Sequence, residues 1–164
     1  MTNLHRIAEE TVKSAVERGL TVATAESLTA GMVAAMLADT PGASAILQGG
    51  VVSYQNSVKA DVLGVSRRLL DAVGSVDGDV AAAMAAGVRK VCVADIGVST
   101  TGVAGPEEHD GKGVGTVFIG IATAEGSMSF PYAFEGTRAE IRAHACAAAL
   151  DRLLEALSSP GYRA

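Results

Sequence analysis

Apolar positions recur along this chain with two different periods. Residues 4–18 (LHRIAEETVKSAVER) set Leu4, Ile7, Ala8, Val12 and Ala15 on one stripe, which predicts an amphipathic helix stopped by Gly19. Residues 22–25 (VATA) form a short run that suits a buried strand better than an isolated helical turn, and an Ala/Met-rich helical stretch follows to residue 36. Ser27 falls at the join, where its side chain is expected to cap the helix by accepting from the amide of Thr29 or Ala30. The turn Asp39-Thr40-Pro41-Gly42 leads into a second predicted strand over residues 45–54 (AILQGGVVSY), with a bulge or kink at Gly49-Gly50.

Two short helices are predicted next, one from Ser57 or Val58 to Leu63, ended by Gly64, and one capped by Ser66 and running through Val73. Residues 79–91 (DVAAAMAAGVRKV) read as a longer helix whose dipole favours Asp77 or Asp79 at its start. Residues 96–101 read as a buried strand that must end in the loop Gly102-Val103-Ala104-Gly105-Pro106. Residues 116–123 and 128–134 make two strands joined at Glu125-Gly126, and a last helix runs from beyond Gly136-Thr137 to about Leu157. Strands alternating with helices, closed by a hairpin, predict one α/β domain: a three-layer α/β/α sandwich with a mixed, mostly parallel sheet. There is no internal repeat and no linker, so residues 1–164 are expected to form a single domain.

Composition narrows the function. The chain is 49% apolar but only 4% aromatic, with no Trp, so its core must be Ala, Val, Leu, Ile and Met packed closely between helices and sheet. A formal charge of −5 without a Lys/Arg cluster argues against nucleic acid as a partner. The N-terminus MTNLHRIAEE lacks an apolar signal core, and no stretch reaches about 18 apolar residues, so a cytoplasmic protein without membrane contact is expected. Cys92 and Cys146 sit in apolar surroundings and read as small core residues.

Three loops at strand ends carry polar groups that a core does not require. They are residues 26–31 (ESLTAG), 53–59 (SYQNSVK) and 99–106 (STTGVAGP), and loops after strand carboxyl ends are where α/β sheets bind ligands. Ser27 suits either a cap or a nucleophile, and unpaired amides over residues 28–31 would attract an anion or a developing oxyanion. Tyr54 and Lys59 can point into one cleft, and a partly desolvated lysine can serve as base for a serine hydroxyl. The loop over residues 101–106 is Gly-rich but lacks both the dinucleotide and the P-loop motifs. Arg138 and Arg142, one turn apart at the start of the last helix, are not what the dipole favours there; an anionic partner such as a phosphate would explain them, as would solvation beside Glu135 and Glu140. His109, within Glu107-Glu108-His109-Asp110, has no second ligand cluster to support a metal.

These blocks together, TAESLTAG, GGVVSYQNSVKADVLGV, STTGVAGP and GVGTVFIGIA, resemble the CinA C-terminal domain family, the nicotinamide-nucleotide amidases, over about residues 22–154. The resemblance implies hydrolysis of the carboxamide of nicotinamide mononucleotide to nicotinate mononucleotide and ammonia, in pyridine-nucleotide recycling. It implies Ser27 as nucleophile, with Tyr54 and Lys59 as catalytic partners. Thr29, Gly31, Thr101, Gly102, Ala104, Gly105 and Arg142 are implied as substrate contacts, with no metal and no cofactor. Long members of the family carry a further N-terminal domain linked to competence and DNA damage, so the resemblance also implies the stand-alone form. A non-catalytic nucleotide-binding or regulatory module is the alternative. The chain departs from the family pattern in having Leu28 and Ala30 beside the serine, Val76-Asp77-Gly78 after Gly74, and acidic residues in the 107–113 loop where the family usually has glycines. An Ala-rich helical surface is compatible with a homo-oligomer.

Overall fold

The computed structural model describes residues 3–159. The sequence also predicts a polar tail after the last helix, and this lies mostly outside them. The described chain runs α1 (Asn3–Arg18), β1 (Val22–Glu26), α2 (Met32–Ala38), a 3-10 turn (Ala43–Ala45), β2 (Leu47–Val52), α3 (Asn56–Asp61), α4 (Arg67–Val73), α5 (Gly78–Val91), β3 (Ile96–Gly102), β4 (Thr116–Thr123), β5 (Gly126–Ala133) and α6 (Arg138–Ser158).

The five strands form one sheet in the order β2-β1-β3-β4-β5. β1 is parallel to both β2 and β3, while β4 is antiparallel to β3 and to β5, so β4 alone runs against the rest. Helices α1, α2 and α6 cover one face, where Ile7, Val12, Leu37, Ile141, Leu150 and Leu153 meet Val22, Ile96, Val98 and Ile119. Val80, Met84 and Val88 of α5 cover the other with Leu63, Val65 and Leu70, against Ala23 and Ala25. This is the predicted three-layer α/β/α sandwich. Thin side chains bring α5 close to the sheet: a Cβ at Gly97 or Gly120 would run into the backbone carbonyl of Ala85 or Ala81.

Several boundaries differ from the sequence reading, each for a local reason. The helix after β1 begins at Met32, with Gly31 at its N-cap, so Ser27 caps nothing. Ala30 (φ 49°) and Gly31 (φ 99°) both take left-handed backbone, and the chain turns for four residues before the helix can start. The capping oxygen comes instead from Glu26, which accepts from the amides of Gly31 (3.0 Å), Val33 (3.0 Å) and Ala34 (2.9 Å). The second strand is trimmed to Leu47–Val52 because residues 43–45 coil, and its register slips where Val22 opposite Leu47 is followed by Ala23 opposite Gly49. The hairpin turn is Ala124-Glu125 rather than Glu125-Gly126, since Gly126 already pairs with Thr123. Ser66 and Asp77 cap α4 and α5, accepting from the amides of Leu69 and Asp79. A capping box between Thr137 and Glu140 opens α6.

Candidate active site

β1, β2 and β3 point their carboxyl ends at the same edge of the sheet, with β1 in the middle and connections leaving it to either side. Such a switch in winding direction opens a crevice. Ser27 follows β1 directly, its amide donating to the Thr100 carbonyl (3.0 Å) as a continuation of the ladder. Ser53 and Tyr54 follow β2, and the loop from residue 103 follows β3. A cavity of about 500 Å³ lies there, its wall including Ser27, Tyr54, Ser75, Gly105, Glu107 and Arg138.

Lys59, on α3, turns inward beneath this cavity and is 1% exposed. Its Nζ donates to Ser27 Oγ (3.2 Å), to the Ser53 carbonyl (2.8 Å) and to the Tyr54 carbonyl (3.3 Å). Three acceptors for three hydrogens describe the ammonium form. The neutral amine keeps two hydrogens for the two carbonyls and directs its lone pair at Ser27. Burial lowers the Lys59 pKa from 10.5 to about 8, opposed by the negative charge of Asp110. The pair is therefore a hydroxyl beside an amine that titrates close to neutral pH.

Tyr54 stands elsewhere than expected. Its ring is half exposed at the rim, and its hydroxyl accepts from Arg138 (3.0 Å), while only its carbonyl meets Lys59. Arg138 also donates to the Gly105 carbonyl (2.6 Å), so one guanidinium bridges the loops after β2 and β3. Thr101, Gly102, Ala104 and Gly105 line the cavity, the Thr101 hydroxyl donating to the Ser75 carbonyl (2.6 Å).

Thr29, Gly31 and Arg142, expected as substrate contacts, are engaged within the protein and do not line the cavity. The buried Thr29 hydroxyl donates to Glu26 (2.6 Å) and lies 2.7 Å from that of Thr100, and the Gly31 amide is on Glu26. Arg142 donates to the carbonyls of Leu28 (2.8 Å) and Thr29 (3.1 Å), pinning the turn after Ser27 from behind. Of the amides over residues 28–31, Ala30 donates to the Ser27 carbonyl and Gly31 to Glu26; those of Leu28 and Thr29 have no hydrogen-bond partner among the described residues.

The acidic loop is tied down. Asp110 accepts from the amide (2.8 Å) and hydroxyl (3.0 Å) of Ser75, and these bonds hold its carboxyl below the usual range. Lys112 donates to the Val76 carbonyl (3.2 Å). Glu107, Glu108 and His109 are thereby held along the cavity wall. Among the described residues no group of three or more His, Cys, Asp or Glu is placed to hold a metal ion. Nor is any described helix long and apolar enough to cross a membrane.

Sequence reasoning passed over Glu26 and Ser75. A carboxylate ending an apolar strand was the available signal for Glu26, because burying it demands several donors. Nothing local marked Ser75, whose role depends on a residue 35 positions away.

The family model described as CinA C-terminal domain matches residues 4–157. A CinA-like protein of Frankia casuarinae is 49% identical over 136 residues, 83% of this chain and 31% of that protein. A CinA-like protein of Geotalea uraniireducens is 43% identical over 144 residues, 87% of this chain and 34% of that one. The chain thus spans about a third of the length of these curated relatives. Among solved structures, the competence/damage inducible protein CihA of Agrobacterium tumefaciens superposes with a TM-score of 0.91 at 32% identity, covering 97% of this chain and 98% of that one. The competence damage-inducible protein A of Klebsiella pneumoniae gives 0.92 at 30% identity, covering 97% and 99%.

Proposed function

The chain belongs to the CinA C-terminal domain family, and from that premise we propose that it is an amidohydrolase that converts nicotinamide mononucleotide to nicotinate mononucleotide and ammonia. The observation that carries the reading is the Lys59–Ser27 contact at 3.2 Å on a fully enclosed lysine. A structural lysine has little reason to be buried without a carboxylate, whereas a base for a serine hydroxyl must be.

In this mechanism neutral Lys59 takes the Ser27 proton as Oγ attacks the carboxamide carbon. The oxyanion forms against the free amide of Leu28, which reaches the cavity wall on a turn that Arg142 and Glu26 hold in place. Lys59 passes the proton to the departing ammonia, then activates the water that releases nicotinate mononucleotide from the acyl-serine. Arg138, at the rim, is the cavity's cation for the substrate phosphate, and Tyr54 orients it. Glu107 and Glu108 on the same wall suit the positively charged pyridinium ring and repel a second anionic group.

Incubating the purified protein with nicotinamide mononucleotide tests the reading: ammonia and nicotinate mononucleotide should appear in equal amounts, and Ser27→Ala should stop both. Binding of the nucleotide without turnover would favour the second reading, a nucleotide-binding regulatory module.

A further inference from the structure

Among the described residues, one buried side-chain polar atom lacks a hydrogen-bond partner, the hydroxyl oxygen of Ser53. Ser53 is 0% exposed. Its backbone is fully engaged: the amide donates to the Glu26 carbonyl (2.9 Å) and the carbonyl accepts from Lys59 Nζ (2.8 Å). An enclosed hydroxyl with no partner is rare in native folds, because it forfeits its bonds to water without replacement. Here it belongs to the residue whose carbonyl already holds the candidate base, so bond lengths alone keep it within roughly 7 Å of Nζ.

We propose that Ser53 is a positioning residue for Lys59, its hydroxyl accepting the third ammonium hydrogen whenever Ser27 Oγ can no longer do so. The inference rests on the Ser27/Lys59 acyl-transfer reading. At rest the three hydrogens go to Ser27 Oγ and to the carbonyls of Ser53 and Tyr54. Once Ser27 Oγ has bonded to the carboxamide carbon it is committed to that carbon and is a weaker acceptor for Lys59, weaker still as the ester oxygen of the acyl-enzyme. In the tetrahedral intermediate Lys59 has taken the serine proton, has not yet passed it to ammonia, and is an ammonium with only two carbonyls to receive it. Rotation of Ser53 about χ1 supplies the missing acceptor. The Ser53 hydroxyl keeps its own hydrogen and no covalent bond to it changes; the transferred proton still leaves with ammonia. The charged group acting on Lys59 across the site is Asp110. Of Ser53's own neighbours, Tyr54 turns its hydroxyl to Arg138 and Glu26 turns its carboxylate to α2.

The test is Ser53→Ala, assayed on nicotinamide mononucleotide beside wild type, Ser27→Ala and Ser53→Thr. Ser53→Ala is expected to lower kcat at least tenfold with KM within twofold. The acid limb of its kcat profile should move to lower pH, because Lys59 protonated by solvent in the acyl-enzyme has lost an acceptor, while the limb of kcat/KM stays where it is. The thermal midpoint should not fall, since no bond present at rest is removed, and Ser53→Thr should recover part of kcat. Wild-type kcat and an unmoved profile in Ser53→Ala would overturn the proposal, as would an activity loss matched by a lower thermal midpoint. If Ser27→Ala still turned over, or wild type released no ammonia, the acyl-transfer reading itself would fall. Failure of Ser53 alone, in an enzyme that Ser27→Ala silences, leaves that reading standing.

Discussion

The Arg138 guanidinium donates to the Tyr54 hydroxyl at 3.0 Å, joining the rim of the cavity across 84 positions of sequence. Arg142, one turn further along α6, faces the other way, onto the carbonyls of Leu28 and Thr29. The two arginines should therefore fail differently. Arg138→Ala is expected to raise KM for nicotinamide mononucleotide at least tenfold and to matter little for nicotinamide riboside, which lacks the phosphate. Arg142→Ala should lower kcat on both substrates alike. Steady-state kinetics on the pair decide it, and equal losses in Arg138→Ala would deny it a phosphate role.

The Lys59 pKa sets a pH profile. With a value lowered from 10.5 to about 8, the amine is mostly protonated at neutral pH. Activity should climb about tenfold per unit below pH 7 and level off above about 9, as the base form fills. Stability changes in the same direction: between about 8 and 10.5 the unfolded chain binds the proton that the folded one has released, so the fold should gain stability with rising pH. A rate profile flat from pH 6 to 9 would remove Lys59 as the base.

Ser27→Ala and Lys59→Ala should each lower kcat by about a thousandfold or more, and the double variant should be little worse than either, because the two act as one unit. Additive losses would mean independent roles. Since Ser27 caps no helix in the structure, Ser27→Ala is expected to leave the thermal midpoint nearly unchanged, which circular dichroism can check.

Glu26 carries more of the local fold than the serine beside it. Its carboxylate receives three amides of the α2 start and the Thr29 hydroxyl while 1% exposed. Glu26→Ala is expected to cost on the order of 3 kcal/mol, because it strands buried donors as well as removing bonds. Chemical denaturation measures this; an unchanged midpoint would show that the turn does not depend on the carboxylate.

The strands and helices were legible because their apolar spacing is a local property. Ser66, Asp77 and Thr137 stand where capping chemistry puts them, and the alternation of elements implied the layered sheet. The turn after Ser27 was not legible. A serine before an Ala-rich run looks like a cap, and only the left-handed backbone at Ala30 and Gly31, with Glu26 reaching forward to residues 31–34, moves the helix start to Met32. At the site, the juxtaposition of Ser27 with Lys59 was expected. Which atom of each partner faces the other was not: Tyr54 offers Lys59 a carbonyl rather than a hydroxyl, and of two arginines one turn apart, the structure turns Arg138 to the cavity and Arg142 to the backbone. Those choices depend on how α6 lies against the sheet, which no local pattern encodes.

The central place of β1 has a consequence for hydrogen exchange. Val22–Glu26 is laddered on both sides, to β2 and to β3, so its amides should exchange only when the whole domain opens. The amides of Leu28 and Thr29, just past Ser27, have no hydrogen-bond partner among the described residues and should exchange orders of magnitude faster. An oxygen held against the Leu28 amide by a bound nicotinate nucleotide would slow its exchange without touching the strand. The nucleophile thus sits between the slowest clock in the domain and one of its faster ones, and deuterium uptake on either side of Ser27 reads occupancy of the oxyanion position directly, even in a variant that no longer turns over.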